Sequence, residues 1–156
     1  MSTQLPVSTI VAAIDLSDDL GQAVLKAGAA LSERFGAKLH VVDIWPKLEA
    51  VGFPYSKMGE AAELEQYESK RDARSADLEA RVNQVAPDAI TMSPSGATAD
   101  TIVDYIEAEN ADILVIGSHQ KPFWQRMLTG SVSEEAIHEA PCAIFVVTPE
   151  YAKLIK

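Results

Sequence analysis

Short apolar runs alternate along this chain with longer segments in which apolar residues recur every three or four positions. The runs at 10–14, 38–45, 89–92, 111–117 and 142–147 are mostly or wholly apolar. Runs of this length and continuity are typical of strands that are buried on both faces of a sheet. The segments between them have the periodicity of helices with one buried face. The pattern therefore predicts strands that alternate with helices along the whole chain.

Capping and breaking residues place the ends of the predicted helices. The first helix starts within 16–19, whose Ser and Asp side chains can cap a helix, and it stops at Gly36. The second spans 60–86, and we interpret its many charges as a solvated surface. The third starts at Thr98, and the fourth spans 130–138. The stripe predicted to pack inward from the second helix consists of Leu64, Tyr67, Arg71, Leu78, Val82 and Val85.

The alternation of strands and helices defines the expected fold class. It predicts an α/β fold in which one parallel sheet of five strands is covered by helices on both faces, a doubly wound arrangement. A length of 156 residues is that of one domain, so we expect a single domain over 1–156. The sequence contains no internal repeat that would suggest a second unit.

Composition and charge narrow the class of partner. The chain carries 23 Asp and Glu against 13 Lys and Arg, a net charge of −10. A chain this acidic is repelled by phosphate backbones and anionic membrane surfaces, so we expect no nucleic-acid partner. No run approaches the length of about 18 apolar residues that a membrane span requires, and the start of the chain lacks a signal-peptide pattern. We therefore expect a cytoplasmic protein with no direct membrane insertion.

Several residues with useful chemistry follow the predicted strands. In an open parallel sheet, ligands bind beyond the carboxyl ends of the strands, where the strand order reverses. Asp15 follows the first strand, Asp43 the second, and 117–119 ends the fourth. Gly130 and Ser131 open the fourth predicted helix, whose free N–H groups can hold a phosphate. These residues predict a phosphate cradle at this edge of the sheet.

Structural explanations exist for three of these residues. Gly117 can serve only to let the strand turn. For Asp15, the structural explanation is a position at the entry to the first helix, with no ligand. His119 can be a loop histidine without a ligand, since no second His or Cys lies at a metal-ligating spacing. For these three residues, both the ligand-binding and the structural interpretation remain open at this point.

Known catalytic arrangements are missing from the sequence. There is no Ser–His–acid arrangement, no Cys–His pair at a helix start, no His cluster for zinc and no P-loop motif. A phosphoacceptor receiver domain needs an acid after its third strand, where this chain has Ser93 and Pro94. We therefore expect no enzyme, with a slow ATPase or autophosphorylation as the remaining enzymatic alternative.

The segments 10–17, 39–43 and 111–147 carry a resemblance to the universal stress protein family, and this resemblance covers essentially the whole chain. The nucleotide signature of that family is Gly-x2-Gly-x9-Gly followed by Ser or Thr. The segment 117–131 is similar to it in every spacing, with Gly at 117 and 130 and Ser at 131. Gln120 stands where the signature has its second glycine.

The resemblance implies a Rossmann-like sheet with strand order 3-2-1-4-5, a dimer, and binding of ATP, with which Mg²⁺ can be associated. It implies that Asp15 and the backbone at Val41 hold the nucleoside and that the segment 130–132 and Gly117 line the phosphates, with a hydroxyl from Ser133. The positions that it assigns to the nucleotide are Ala13, Asp15, Val41, Ile116, Gly117, His119, Gln120, Gly130, Ser131, Val132 and Ser133.

Two functions follow from these observations. The first is an ATP-binding stress-response protein, a dimeric sensor module that acts on a regulatory protein or a transporter. The alternative is a member of the same family that binds no nucleotide and acts as a dimeric scaffold, which Gln120 favours. In both, we expect the homodimer to form through the apolar strand 143–147, because an uncharged edge strand tends to pair with another chain.

Overall fold

The computed structural model describes residues 3–45, 60–96, 98–119 and 141–156. Within these residues, five parallel strands form one sheet in the order β3-β2-β1-β4-β5, which confirms the predicted fold class and strand order. The strands are β1 (Thr9–Ala13), β2 (Lys38–Val42), β3 (Ile90–Met92), β4 (Ile113–Gly117) and β5 (Ala143–Val147). The helices are α1 (Gly21–Phe35), α2 (Glu60–Val85), α3 (Thr98–Glu109) and α4 (Pro149–Ala152). The helix predicted at 130–138 lies outside the described residues.

Helix α1 begins later than predicted. The segment 16–19 is not its first turn, because the Asp18 carboxylate accepts a hydrogen bond from the Leu20 N–H (2.9 Å) and forms a turn. The helix starts at Gly21, and Leu20 at its N-cap makes no side-chain capping bond. The predicted stop is confirmed, since Gly36 has φ 65°, the left-handed conformation that ends many helices.

Strand β2 is shorter than the predicted run 38–45. It ends at Val42, and the chain then continues alongside the segment that follows β3 through backbone hydrogen bonds. The Asp43 N–H donates to the Met92 carbonyl (3.0 Å), and Trp45 forms an isolated bridge with Ser95. The residues that follow β2 are therefore held in place at the carboxyl edge of the sheet.

The central strands β1, β2 and β4 are buried on both faces, as their continuous apolar runs predicted, whereas the edge strands β3 and β5 are partly exposed. On one face, Ile10 and Val41 pack in a cluster with Leu25 of α1 and Leu78 of α2. On the other face, Val11, Val42 and Leu114 pack with Ile102 and Ile106 of α3. Burying a side chain of this size contributes about 1.5–3 kcal/mol, so these clusters fix the positions of the strand ends.

The inward stripe of α2 differs from the prediction. Tyr67, Leu78 and Val82 are buried, but Leu64 and Arg71 are exposed. Arg74 takes the inward position instead, one turn before Leu78, with a side chain that is only 25% exposed. The charges of this helix are therefore not all part of a solvated surface.

The two edges of the sheet are β3 and β5. The position of β5 at an edge agrees with the prediction, and Val146 on this strand is 39% exposed. Across the part of the chain that the structure describes, no helix is both long enough and apolar enough to cross a membrane.

Candidate functional site

The carboxyl edge of the sheet brings together the residues that the sequence placed after the strands. β1 pairs with β2 on one side and with β4 on the other. The chain moves outward from β1 to β3 and then returns to β4, so the strand order reverses between β1 and β4. Ligands of open parallel sheets bind at this reversal, and Asp15, Asp43 and Gly117 all lie at this edge.

The Asp15 carboxylate is held by three donors on one oxygen. Its Oδ1 accepts from the Ser17 N–H (2.9 Å), the Ser17 hydroxyl and Nη2 of Arg74 (3.2 Å). Burial acts to raise the pKa of Asp15, but these hydrogen bonds and the charge of Arg74 outweigh it, and the pKa is lowered. Asp15 is therefore a fixed carboxylate that is ionised at neutral pH, and its side chain is 47% exposed.

Asp43 and Arg74 form a largely buried ion pair with two hydrogen bonds. Nε of Arg74 donates to Oδ2 of Asp43, and Nη2 donates to Oδ1 (2.8 Å), a two-pronged contact that suits the planar guanidinium. The Asp43 side chain is 1% exposed. The hydrogen bond to Asp43 raises the pKa of Arg74, so the guanidinium stays charged.

Two aromatic rings lie beside this ion pair. The Arg74 guanidinium carbon lies 5.6 Å from the centre of the Trp45 ring, within range of a cation–π interaction. The centre of the Tyr67 ring lies 5.6 Å from the centre of the Trp45 ring. Nε1 of Trp45 is buried and has no hydrogen-bond partner among the described residues. Arg74 is therefore enclosed by Asp43, Asp15 and an aromatic ring.

His119 joins two loops at the same edge. Its Nδ1 lies 2.9 Å from Oδ1 of Asp18, which connects the end of β4 to the turn before α1. The His119 side chain is 52% exposed. No group of three metal-ligating side chains occurs in the described ranges.

Close packing favours glycine at position 117, and a turn conformation does not explain it. Its φ is not positive, so the turn itself does not call for glycine. A Cβ at this position would lie 3.3 Å from Cβ of Leu20 and 3.5 Å from Cγ2 of Val24. The glycine therefore allows α1 to approach the end of β4 closely.

The remaining predicted residues fall into two groups. Ala13, Val41 and Ile116 are buried as whole residues, at 1%, 0% and 0% exposure, and Val41 pairs with Ala12 of β1 and Thr91 of β3. The other five lie outside the described residues, and they are Gln120, Gly130, Ser131, Val132 and Ser133.

Arg74 is the site residue that the sequence interpretation missed. It is charged, it lies within a charged helix, and it contacts residues 31 and 59 positions away in the sequence. One signal pointed to it, because it lies four residues before Leu78 and seven after Tyr67, on the buried side of α2. A charged residue at such a position needs a partner of opposite charge, which Asp43 supplies.

Comparisons with known proteins identify the family. The sequence profile of the universal stress protein family matches residues 6–148. This chain therefore belongs to the universal stress protein family. A universal stress protein of Methanocaldococcus jannaschii is 40% identical over 52 residues, which are 33% of this chain. The matched part of this chain spans 31% of the length of that relative.

Solved structures of the family share the fold. The universal stress protein UspA from Lactobacillus plantarum has a TM-score of 0.62 and 20% identity, over 92% of this chain and 99% of that chain. A universal stress protein crystallised in complex with cAMP has a TM-score of 0.57 and 19% identity, over 90% of this chain and 97% of that chain. These likenesses show a common architecture.

Proposed function

We propose that this protein binds an adenine nucleotide, ATP, and works as a non-enzymatic regulatory module of the stress response. The observation that carries the proposal is the Asp15 carboxylate, which is ionised and half-exposed where the strand order reverses. A carboxylate in such a position accepts hydrogen bonds from the hydroxyl groups of a ribose. The family member solved with cAMP supports the adenine-nucleotide class.

A nucleoside at this edge would use three of the described residues. Asp15 receives the ribose hydroxyls, and the base lies at the backbone of Val41, the position that the resemblance to the family assigns to it. Gly117 brings a backbone without a side chain to the end of β4. The phosphates belong to the segment 130–133, where a helix start would supply free N–H groups, and Mg²⁺ would accompany them.

Thermal unfolding with and without ATP tests this function. A ligand at about 100 times its Kd stabilises a folded protein by about 2.7 kcal/mol, and we expect ATP to raise Tm by about 5–10 °C. Asp15→Asn, which removes the acceptor charge, and Gly130→Asp, which puts a carboxylate against the phosphates, should both abolish the rise. Asp19→Asn is the matched control, because this exposed acid in the same loop makes none of these contacts.

The alternative function, a scaffold without nucleotide, rests on Gln120 in the position of the second signature glycine. It is favoured if ATP leaves Tm unchanged and if mass spectrometry of the denatured protein finds no adenine nucleotide. In both versions we propose a cytoplasmic homodimer that pairs through 143–147, with a regulatory protein or a transporter as its partner. Val146 is exposed on this edge strand, and light scattering at micromolar concentration measures the assembly state.

A further inference from the structure

One guanidinium connects two carboxylates that follow neighbouring strands. Arg74 extends from α2 across the carboxyl end of β2, where Asp43 holds its Nε and Nη2. The same Nη2 also donates to Oδ1 of Asp15 beyond the end of β1 (3.2 Å). Asp43 therefore sets the position of Arg74, and Arg74 in turn influences the position of Asp15.

Asp43 acts as an anchor. Its side chain is 1% exposed, and each of its carboxylate oxygens accepts from Arg74. Its backbone N–H donates to Met92 at the end of β3, which fixes the residue to the sheet. A carboxylate so enclosed has no surface to offer a ligand, so its effect on a ligand must pass through Arg74.

The hydrogen bonds to Asp15 are unevenly divided between its two oxygens. Within the described residues, every donor to this carboxylate contacts Oδ1: the Ser17 N–H, the Ser17 hydroxyl and Arg74. Three donors from two directions hold the carboxylate in one orientation, and no donor from the described residues occupies Oδ2, which can accept further hydrogen bonds. A side chain that is 47% exposed can offer this oxygen to a ligand.

We propose that Arg74, anchored by Asp43, is a positioning residue that orients the Asp15 carboxylate so that Oδ2 accepts from the hydroxyl groups of a ribose. The proposal rests on the proposed nucleotide function and adds the residue that makes the site selective for a ribose. A carboxylate fixed in advance loses little freedom on binding, whereas an unfixed one must be ordered by the ligand. Arg74 therefore determines how strongly the site prefers a ligand with both ribose hydroxyls.

Affinities for ATP and for 2′,3′-dideoxy-ATP, measured by calorimetry, test this role. The ratio of the two affinities isolates the contribution of the hydroxyl groups. In Arg74→Gln we expect ATP to bind about tenfold more weakly and dideoxy-ATP to bind as it does to the wild type. Arg71→Gln is the matched control, because Arg71 is exposed and lies on the same helix. Its ratio should equal that of the wild type.

A second variant separates the effect of Arg74 on binding from the effect of an unpaired buried charge on folding. Arg74→Gln leaves the buried Asp43 charge unpaired, whereas the double variant D43N/R74Q removes the guanidinium and that charge together. The double variant should show the same loss of preference for ATP over dideoxy-ATP. A fully structural role for Arg74 would weaken both ligands by the same factor, and that result overturns the proposal, as does an unchanged ratio. A wild type that binds ATP but does not distinguish it from dideoxy-ATP overturns the proposal alone, and a wild type that binds neither overturns the nucleotide function as well.

Discussion

The two ends of the sheet each hold a carboxylate with a lowered pKa, but the surroundings of the two acids differ. At the amino end, Oδ2 of Asp112 accepts from the N–H groups of Ser8 (2.7 Å) and Thr9 (3.0 Å), and these bonds lower its pKa. Its own N–H donates to the Thr9 carbonyl (2.8 Å). Asp112 therefore ties the start of β4 to the start of β1, and its partners are all backbone groups.

At the carboxyl end, Asp15 shares one of its donors, the Arg74 guanidinium, with a second acid, Asp43. The backbone N–H and the hydroxyl of Ser17 donate to Asp15, as does Arg74. Asp43 in turn holds Arg74 in place. Ligands of open parallel sheets bind beyond the carboxyl ends of the strands, where the order reverses between β1 and β4. A lowered pKa alone does not distinguish a site from a structural bond, because both acids have one.

A cavity of about 480 Å³ opens at the amino end, between the end of α1, the start of β2 and the end of α2. Its polar lining is already used in part, because the Ser32 hydroxyl donates to the Ala37 carbonyl (2.6 Å). The network of Asp15, Arg74 and Asp43 lies at the other end. None of these three groups lines the cavity at the amino end.

The largest expected effect on stability comes from breaking the carboxyl-end network. Arg74→Gln leaves the Asp43 carboxylate, 1% exposed, without its cation, and we expect the free energy of unfolding to fall by about 3 kcal/mol. The double variant D43N/R74Q should recover part of this loss, because it contains no unpaired charge. Urea denaturation at pH 7 measures both. Equal losses in the single and double variants would show that the unpaired Asp43 charge itself costs little.

Asp112 provides the next test, since its contribution to stability depends on pH. A folded-state pKa below the ordinary value of about 3.9 means that the folded protein favours the ionised form. This stabilisation is complete above about pH 4 and is lost as the pH falls through the lower, folded-state pKa. Because the group is largely solvated, we expect Asp112→Asn to cost no more than about 1 kcal/mol at pH 7.

The same variant separates the two ends of the sheet. Urea denaturation at pH 7 and at pH 2 should show the difference between Asp112→Asn and the wild type shrinking at the lower pH. The rise of Tm with ATP should be unchanged in Asp112→Asn, whereas it should disappear in Asp15→Asn. A loss of the ATP effect in Asp112→Asn would mean that the two ends are coupled, and the contrast drawn between them would be wrong.

Much of the fold was predictable because strands buried on both faces leave continuous apolar runs in the sequence. The start of α1 was not, because Asp18 can cap a helix or close a turn, and the choice depends on where Leu20 packs. Asp15 and Asp43 were predictable as residues that follow strands. Arg74 was not, because its role comes from a helix that crosses the strand ends far along the chain.

The smallest expected effect concerns the contact between His119 and Asp18. Both loops belong to the carboxyl end, but the His119 side chain is 52% exposed and its Nδ1 contacts a carboxylate that also accepts from Leu20. Exposed pairs of this kind contribute about 0.5 kcal/mol, so His119→Ala should lower the free energy of unfolding by no more than that. Since the side chain contacts Asp18, any contact of residue 119 with the nucleotide is expected from its backbone. The affinity for ATP, measured by calorimetry, should then stay within about twofold of the wild type. A tenfold loss would mean that the imidazole itself contacts the nucleotide. The nucleotide-binding region would then include the His119 side chain beyond the end of β4.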